Sequence, residues 1–126
     1  METPARVLKS LRMIDDETVE ILYKDAVTVT REDMEELLGH LYYFTDGKRL
    51  KRLVVCTRNS SLEMTARHLL QEENKVRKDT IIAEAVVVTS LSQKMMTNFY
   101  LKFIQNVFPS KFFTDEQKAR EWLKAQ

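Results

Sequence analysis

Leu53-Val54-Val55-Cys56 is a run of four apolar residues with no polar side to mark a solvent face. Ile81-Ile82-Ala83-Glu84-Ala85-Val86-Val87-Val88 repeats the pattern, with Glu84 as its one interruption. Strands that are apolar on both faces are covered on both faces, the condition of parallel sheets flanked by helices. The spacing between the two runs is long enough for a crossover helix, and Leu62, Ala66, Leu69 and Leu70 supply its apolar stripe before the polar stretch from Gln71 to Asp79. Upstream, Met34, Leu37, Leu38, Leu41 and Tyr42 fall on one helical face. Thr30 with Asp33 forms a capping-box pattern, acids fill the first turns, and Gly47 provides a left-handed stop.

The ends of the chain complete the alternation. Val7 to Ile14 and Val19 to Tyr23 carry the period-two pattern of half-buried strands, and the Asp15-Asp16-Glu17 break between them predicts an antiparallel hairpin. After the second buried strand, Ser90 or Ser92 opens a long helix that runs to about Asn106, and Pro109 ends the segment. Lys111-Phe112-Phe113 predicts a brief strand, and Thr114 with Gln117 caps a last helix whose stripe is Ala119, Trp122 and Leu123. The predicted order is β-β-α-β-α-β-α-β-α, an α/β fold with a mostly parallel mixed sheet and packed helices. One domain spans residues 6–125, behind a short tail of residues 1–5.

Composition narrows the function classes. Twenty Lys and Arg against nineteen Asp and Glu leave a net charge of +1, which argues against a strongly basic nucleic-acid binder. A single cysteine excludes an internal disulfide framework and cysteine-rich metal sites, and points to a reducing compartment. Two Gly and two Pro leave no glycine-rich phosphate loop. The amino terminus has no signal-peptide pattern, and no apolar run approaches the ~20 residues of a membrane span. The expectation is a cytoplasmic protein without a cofactor, without a metal and without a nucleic-acid partner.

Three stretches resemble a known family. Val29-Thr30-Arg31-Glu32-Asp33 at the first helix, Ala83-Glu84-Ala85-Val86-Val87-Val88-Thr89-Ser90 at the central strand, and Phe112 to Leu123, with its Ala-x-x-Trp-Leu ending, are similar to the SpoIIAA-like branch of the STAS superfamily (sulphate transporter and anti-sigma-factor antagonist). The resemblance implies a bacterial-type, non-enzymatic interaction or regulatory module, in a branch where many members have no assigned role. In anti-sigma-factor antagonists a Ser or Thr at the start of the helix after the third strand is phosphorylated. The matching stretch here is Asn59-Ser60-Ser61, with Asn59 in place of the usual acid and without the glycine that ordinarily follows.

Each candidate also has a plainer reading. One of Ser60 and Ser61 can cap the helix, whose free N–H groups would equally welcome a phosphate. Cys56 with His40 or His68 could form a nucleophile and base, but a cysteine closing an apolar run reads as an inert small hydrophobe. Lys48-Arg49-Leu50-Lys51-Arg52 reads as a solvated loop entering a strand in preference to a phosphate-binding patch. Glu84 is expected at an edge, in a pocket, or paired with Lys or Arg, because a lone buried carboxylate is costly. Met95, Phe99, Tyr100 and Phe103 sit on a segment apolar over more than one face, which makes it either the most buried helix or a docking surface. The expected function is surface recognition of a protein partner or a second copy of the chain. The rival is an apolar-ligand or lipid carrier that uses the same four residues.

Overall fold

In the computed structural model of the chain, the described residues are 5–89 and 107–126. The predicted hairpin forms from β1 (Leu8–Met13) and β2 (Thr18–Tyr23), with Leu11 opposite Ile21 and Met13 opposite Val19. A two-residue strand β3 (Thr28–Val29) leads into α1 (Arg31–Thr45). The capping box closes as the sequence predicts. Thr30 Oγ1 accepts the Asp33 N–H at 3.1 Å, and the Asp33 carboxylate accepts the Thr30 N–H at 3.0 Å. Arg6 clamps the same carboxylate at 2.6 Å. Asp46 and Gly47 both take left-handed backbone angles and end the helix.

β4 (Leu50–Val55) begins earlier than the apolar run suggests and includes Lys51 and Arg52. A second short strand, β5 (Ser61–Leu62), pairs in parallel with β3, and α2 (Met64–Val76) follows. α2 continues through the polar stretch where the stripe fades. Glu73 holds it in place by accepting the Tyr42 hydroxyl of α1 at 2.7 Å. A single 3-10 turn, Lys78–Thr80, turns the chain into β6 (Ile81–Val87). β7 (Ser110–Phe113) and α3 (Glu116–Lys124) close the fold. The cap of α3 is Asp115 and not Thr114: its carboxylate accepts the N–H groups of Gln117 and Lys118.

The five-stranded sheet has the order β1-β2-β4-β6-β7, antiparallel only at the hairpin. This is the mostly parallel α/β arrangement the alternation predicts. Side-chain alternation divides the core between its two faces. Val19, Ile21 and Tyr23 pack with Met34, Leu37, Leu38 and Leu41 of α1 and Ala66 of α2. Leu53, Val55, Ala83, Ala85 and Val87 pack under Ala119 and Leu123 of α3. The small Ala83 and Ala85, both fully buried, let α3 approach the sheet closely, and Trp122 leans on Phe113 with ring centroids 5.9 Å apart.

Candidate functional site

In parallel sheets, ligand and partner sites gather beyond the carboxyl ends of the strands. Here that edge carries the turn after β2, residues 24–27, and the loop after β4, residues 56–60. Each is fixed by the other. Ala26 N–H donates to Arg58 O at 2.8 Å, Thr57 Oγ1 donates to Tyr23 O at 3.0 Å, and Ser61 N–H donates to Val27 O at 2.9 Å. Cys56 N–H reaches across to Val87 O at 2.8 Å, which ties the loop to β6. Ala26 and Asn59 both sit at positive φ, 54° and 59°, a conformation L residues adopt at a cost. Arg58, Asn59 and Ser61 remain exposed on this braced ledge.

This geometry corrects the placement of the serines. Neither Ser60 nor Ser61 caps α2. Ser61 belongs to β5, Ser60 Oγ donates to Thr57 O at 2.8 Å, and the N-cap is Glu63, whose side chain makes no capping bond. The β3–β5 pairing takes up the residues that local capping preference would assign to the helix. Asn59, Ser60 and Ser61 therefore stand together on the ledge, before the helix begins. Met95, Phe99, Tyr100 and Phe103, with the start of their segment at Ser90 and Ser92, lie outside the described residues.

Glu84 finds its partner by sheet register. It stands opposite Arg52 on the neighbouring strand, and the two form an ion pair at 2.8 Å with side chains 13% and 7% exposed. Arg52 also donates to Asn74 Oδ1 at 2.8 Å and lies over the Phe108 ring. The basic run is thus only half a solvated loop. Lys51 and Arg52 are buried, Lys51 pairing with Glu17 at 3.3 Å, while Lys48 and Arg49 stay exposed. Burial first, and the Glu84 charge second, push the Cys56 thiol up to about 12, the signature of an inert cysteine. His68 is exposed on α2, and among the described residues no group of three His, Cys, Asp or Glu is placed to hold a metal.

Sequence reasoning missed two arrangements. Glu20 reads as an outward residue of a half-buried strand, yet it is buried between Arg12 at 3.0 Å and Arg120 at 3.3 Å. An open cleft of about 690 Å³ lies between the β1–β2 turn and α3, lined by Asp15, Glu17, Lys51 and Arg120 among others. The charge of each residue was visible in the sequence; the register and helix docking that gather them were not.

The sheet order, the helices on both faces and the ledge define a SpoIIAA-like fold. An uncharacterised protein of the DUF3478 family from Shewanella loihica PV-4, itself described as having a SpoIIAA-like fold, is similar in structure, with a TM-score of 0.64 at 19% identity over 90% of each chain. The chain belongs to the family described as a domain of unknown function, DUF7793, whose model matches residues 12–126. No curated protein matches it. Among the described residues, no helix is long and apolar enough to cross a membrane.

Proposed function

We propose that this chain is a non-enzymatic, cytoplasmic interaction module of SpoIIAA-like type, and that its partner is a second copy of itself. The observation that carries the reading is the bracing of the ledge. Its exposed tips, Arg58, Asn59 and Ser61, stand on a loop that hydrogen bonds tie to the turn after β2 and, through Cys56, to β6, so little ordering entropy is lost when a partner docks. Met95, Phe99, Tyr100 and Phe103 would add the apolar area a stable contact needs, since polar ledges alone rarely bind tightly. Ser60 and Ser61 are the positions at which phosphorylation would alter the contact, by adding charge to a recognition face.

Sedimentation equilibrium tests this. The parent chain is expected at twice its monomer mass, and Arg58→Glu and Phe103→Glu are each expected to shift it to the monomer with unchanged circular dichroism. A monomeric parent chain, or two variants that dimerise as the parent does, would overturn the proposal.

A further inference from the structure

The opposite end of the sheet carries a second surface, unrelated to the ledge. Register places Leu50 beside Ile81, so residues 48–49 and 78–80 enter β4 and β6 side by side. This brings Lys48 and Arg49 to the same edge as Arg77 and Lys78, with Lys75 one position before the end of α2. Acids are slightly fewer there, four against those five cations: Asp46, Asp79 in the 3-10 turn, Glu72, which lies 3.9 Å from Lys75, and Glu73, which lies 3.9 Å from Arg77. Among the described residues, no ion pair engages Lys48, Arg49 or Lys78. Two large apolar side chains, Tyr43 and Val76, stand out beside the cations at 81% and 75% exposure.

Within this edge is a small pocket of about 30 Å³, lined by Tyr42, Leu50, Arg52, Arg77 and Thr80. The Arg77 guanidinium carbon lies over the Tyr42 ring, 3.9 Å from its centroid, and its Nε forms a loose ion pair with Glu73 at 3.9 Å, beyond hydrogen-bond reach. The Nε atoms of both Arg52 and Arg77 are buried and have no hydrogen-bond partner among the described residues. The Arg52 side chain is more than nine-tenths buried, its Nη2 held by Glu84 and Asn74, whereas the Arg77 side chain is 42% exposed. Buried guanidinium donors left unsatisfied are costly, and an acceptor that reached them would recover that loss.

We infer that this edge docks an acidic peptide segment of a protein partner, one of whose carboxylates enters the pocket to accept hydrogen bonds from Arg77 and Arg52. A flat carboxylate end fits a space of about 30 Å³ better than a tetrahedral phosphate does. Lys48, Arg49 and Lys78 meet the remaining acids of the segment, and Tyr43 and Val76 pack against its apolar positions. This surface is independent of self-association through the ledge.

The probe is a fluorescein-labelled peptide of alternating Glu and Leu, followed by fluorescence anisotropy at low and moderate salt. Binding that weakens with salt is expected. Arg77→Lys keeps the charge but loses the planar fork, and should weaken binding by about tenfold or more; Lys48→Glu with Arg49→Glu should do the same through charge alone. The inference is overturned if the peptide does not bind at low salt, or if Arg77→Lys binds as the parent does. It is equally overturned if inorganic polyphosphate or single-stranded oligonucleotide competes better than free peptide. Far-ultraviolet circular dichroism on each variant separates lost binding from lost folding.

Discussion

Replacing Glu84 with Leu tests the logic of the buried ion pair directly. The substitution keeps an apolar strand position filled but removes the carboxylate 2.8 Å from Arg52. The guanidinium, 7% exposed, is left with the neutral Asn74 amide oxygen as acceptor and the Phe108 ring as neighbour. A charge buried without its counter-charge destabilises by about 3–5 kcal/mol. For a chain of 126 residues, an unfolding entropy of roughly 2 cal/mol/K per residue turns that into a Tm lower by about 10–20 °C. Removing the second charge as well, in Arg52→Met with Glu84→Leu, should restore stability to within about 1 kcal/mol of the parent, because apolar replacements of a whole buried pair are often neutral or better. Urea unfolding of the parent, both single variants and the double variant completes the cycle. A Glu84→Leu cost below about 1 kcal/mol, the range of an exposed pair, would refute the reasoning. So would a double variant as unstable as the sum of the singles.

Cys56 should resist alkylation. With its thiol raised from 9.0 to about 12, the native chain holds about a thousandfold less thiolate near pH 8 than an ordinary cysteine, and iodoacetamide labelling followed by mass spectrometry should accelerate sharply in urea. Tyr42 is likewise raised, from 10.0 to about 12, first by burial and then by its bond to Glu73. Both groups lose their protons earlier in the unfolded chain, so their contribution is complete below pH 9 and is lost as pH rises from about 9 to 12. Cys56→Ala with Tyr42→Phe should therefore flatten the decline of the urea midpoint across that window. Asp33, held below its usual value chiefly by the Arg6 hydrogen bond, acts in the opposite sense: its contribution is present above about pH 3.8 and fades below it, and Asp33→Asn should reduce the loss of stability on acidification. Thr30→Ala, which removes the cap of α1, should cost about 1 kcal/mol in urea unfolding. Ala26→Gly should raise stability by about 0.5–1 kcal/mol, because glycine accepts a φ of 54° without strain.

Features written in adjacent residues were legible. The alternation in Val19, Ile21 and Tyr23 identified β2 and its buried face, and Thr30 with Asp33 located the start of α1 to the residue. The expected pairing of Glu84 holds, but its partner lay 32 positions upstream, and register alone names it. The serines at 60 and 61 misled for the same reason. Their capping preference is local, while the β3–β5 pairing that claims Ser61 joins it to Thr28. Lys51 and Arg52 read as solvated because a charge run usually is, and become buried because Glu17, Asn74 and Glu84 converge on them from three other segments.

The sequence by itself determined the five strands of the main sheet and the helices α1, α2 and α3, because hydrophobic period, caps and stops act over a few residues. It also determined the mostly parallel architecture, since strands apolar on both faces have few other stable arrangements. Only the tertiary structure decided which charges are buried, where the ledge forms, and which arginine atoms have no acceptor among the described residues. Those outcomes depend on distances between residues far apart in the chain, which strand register and helix docking set together.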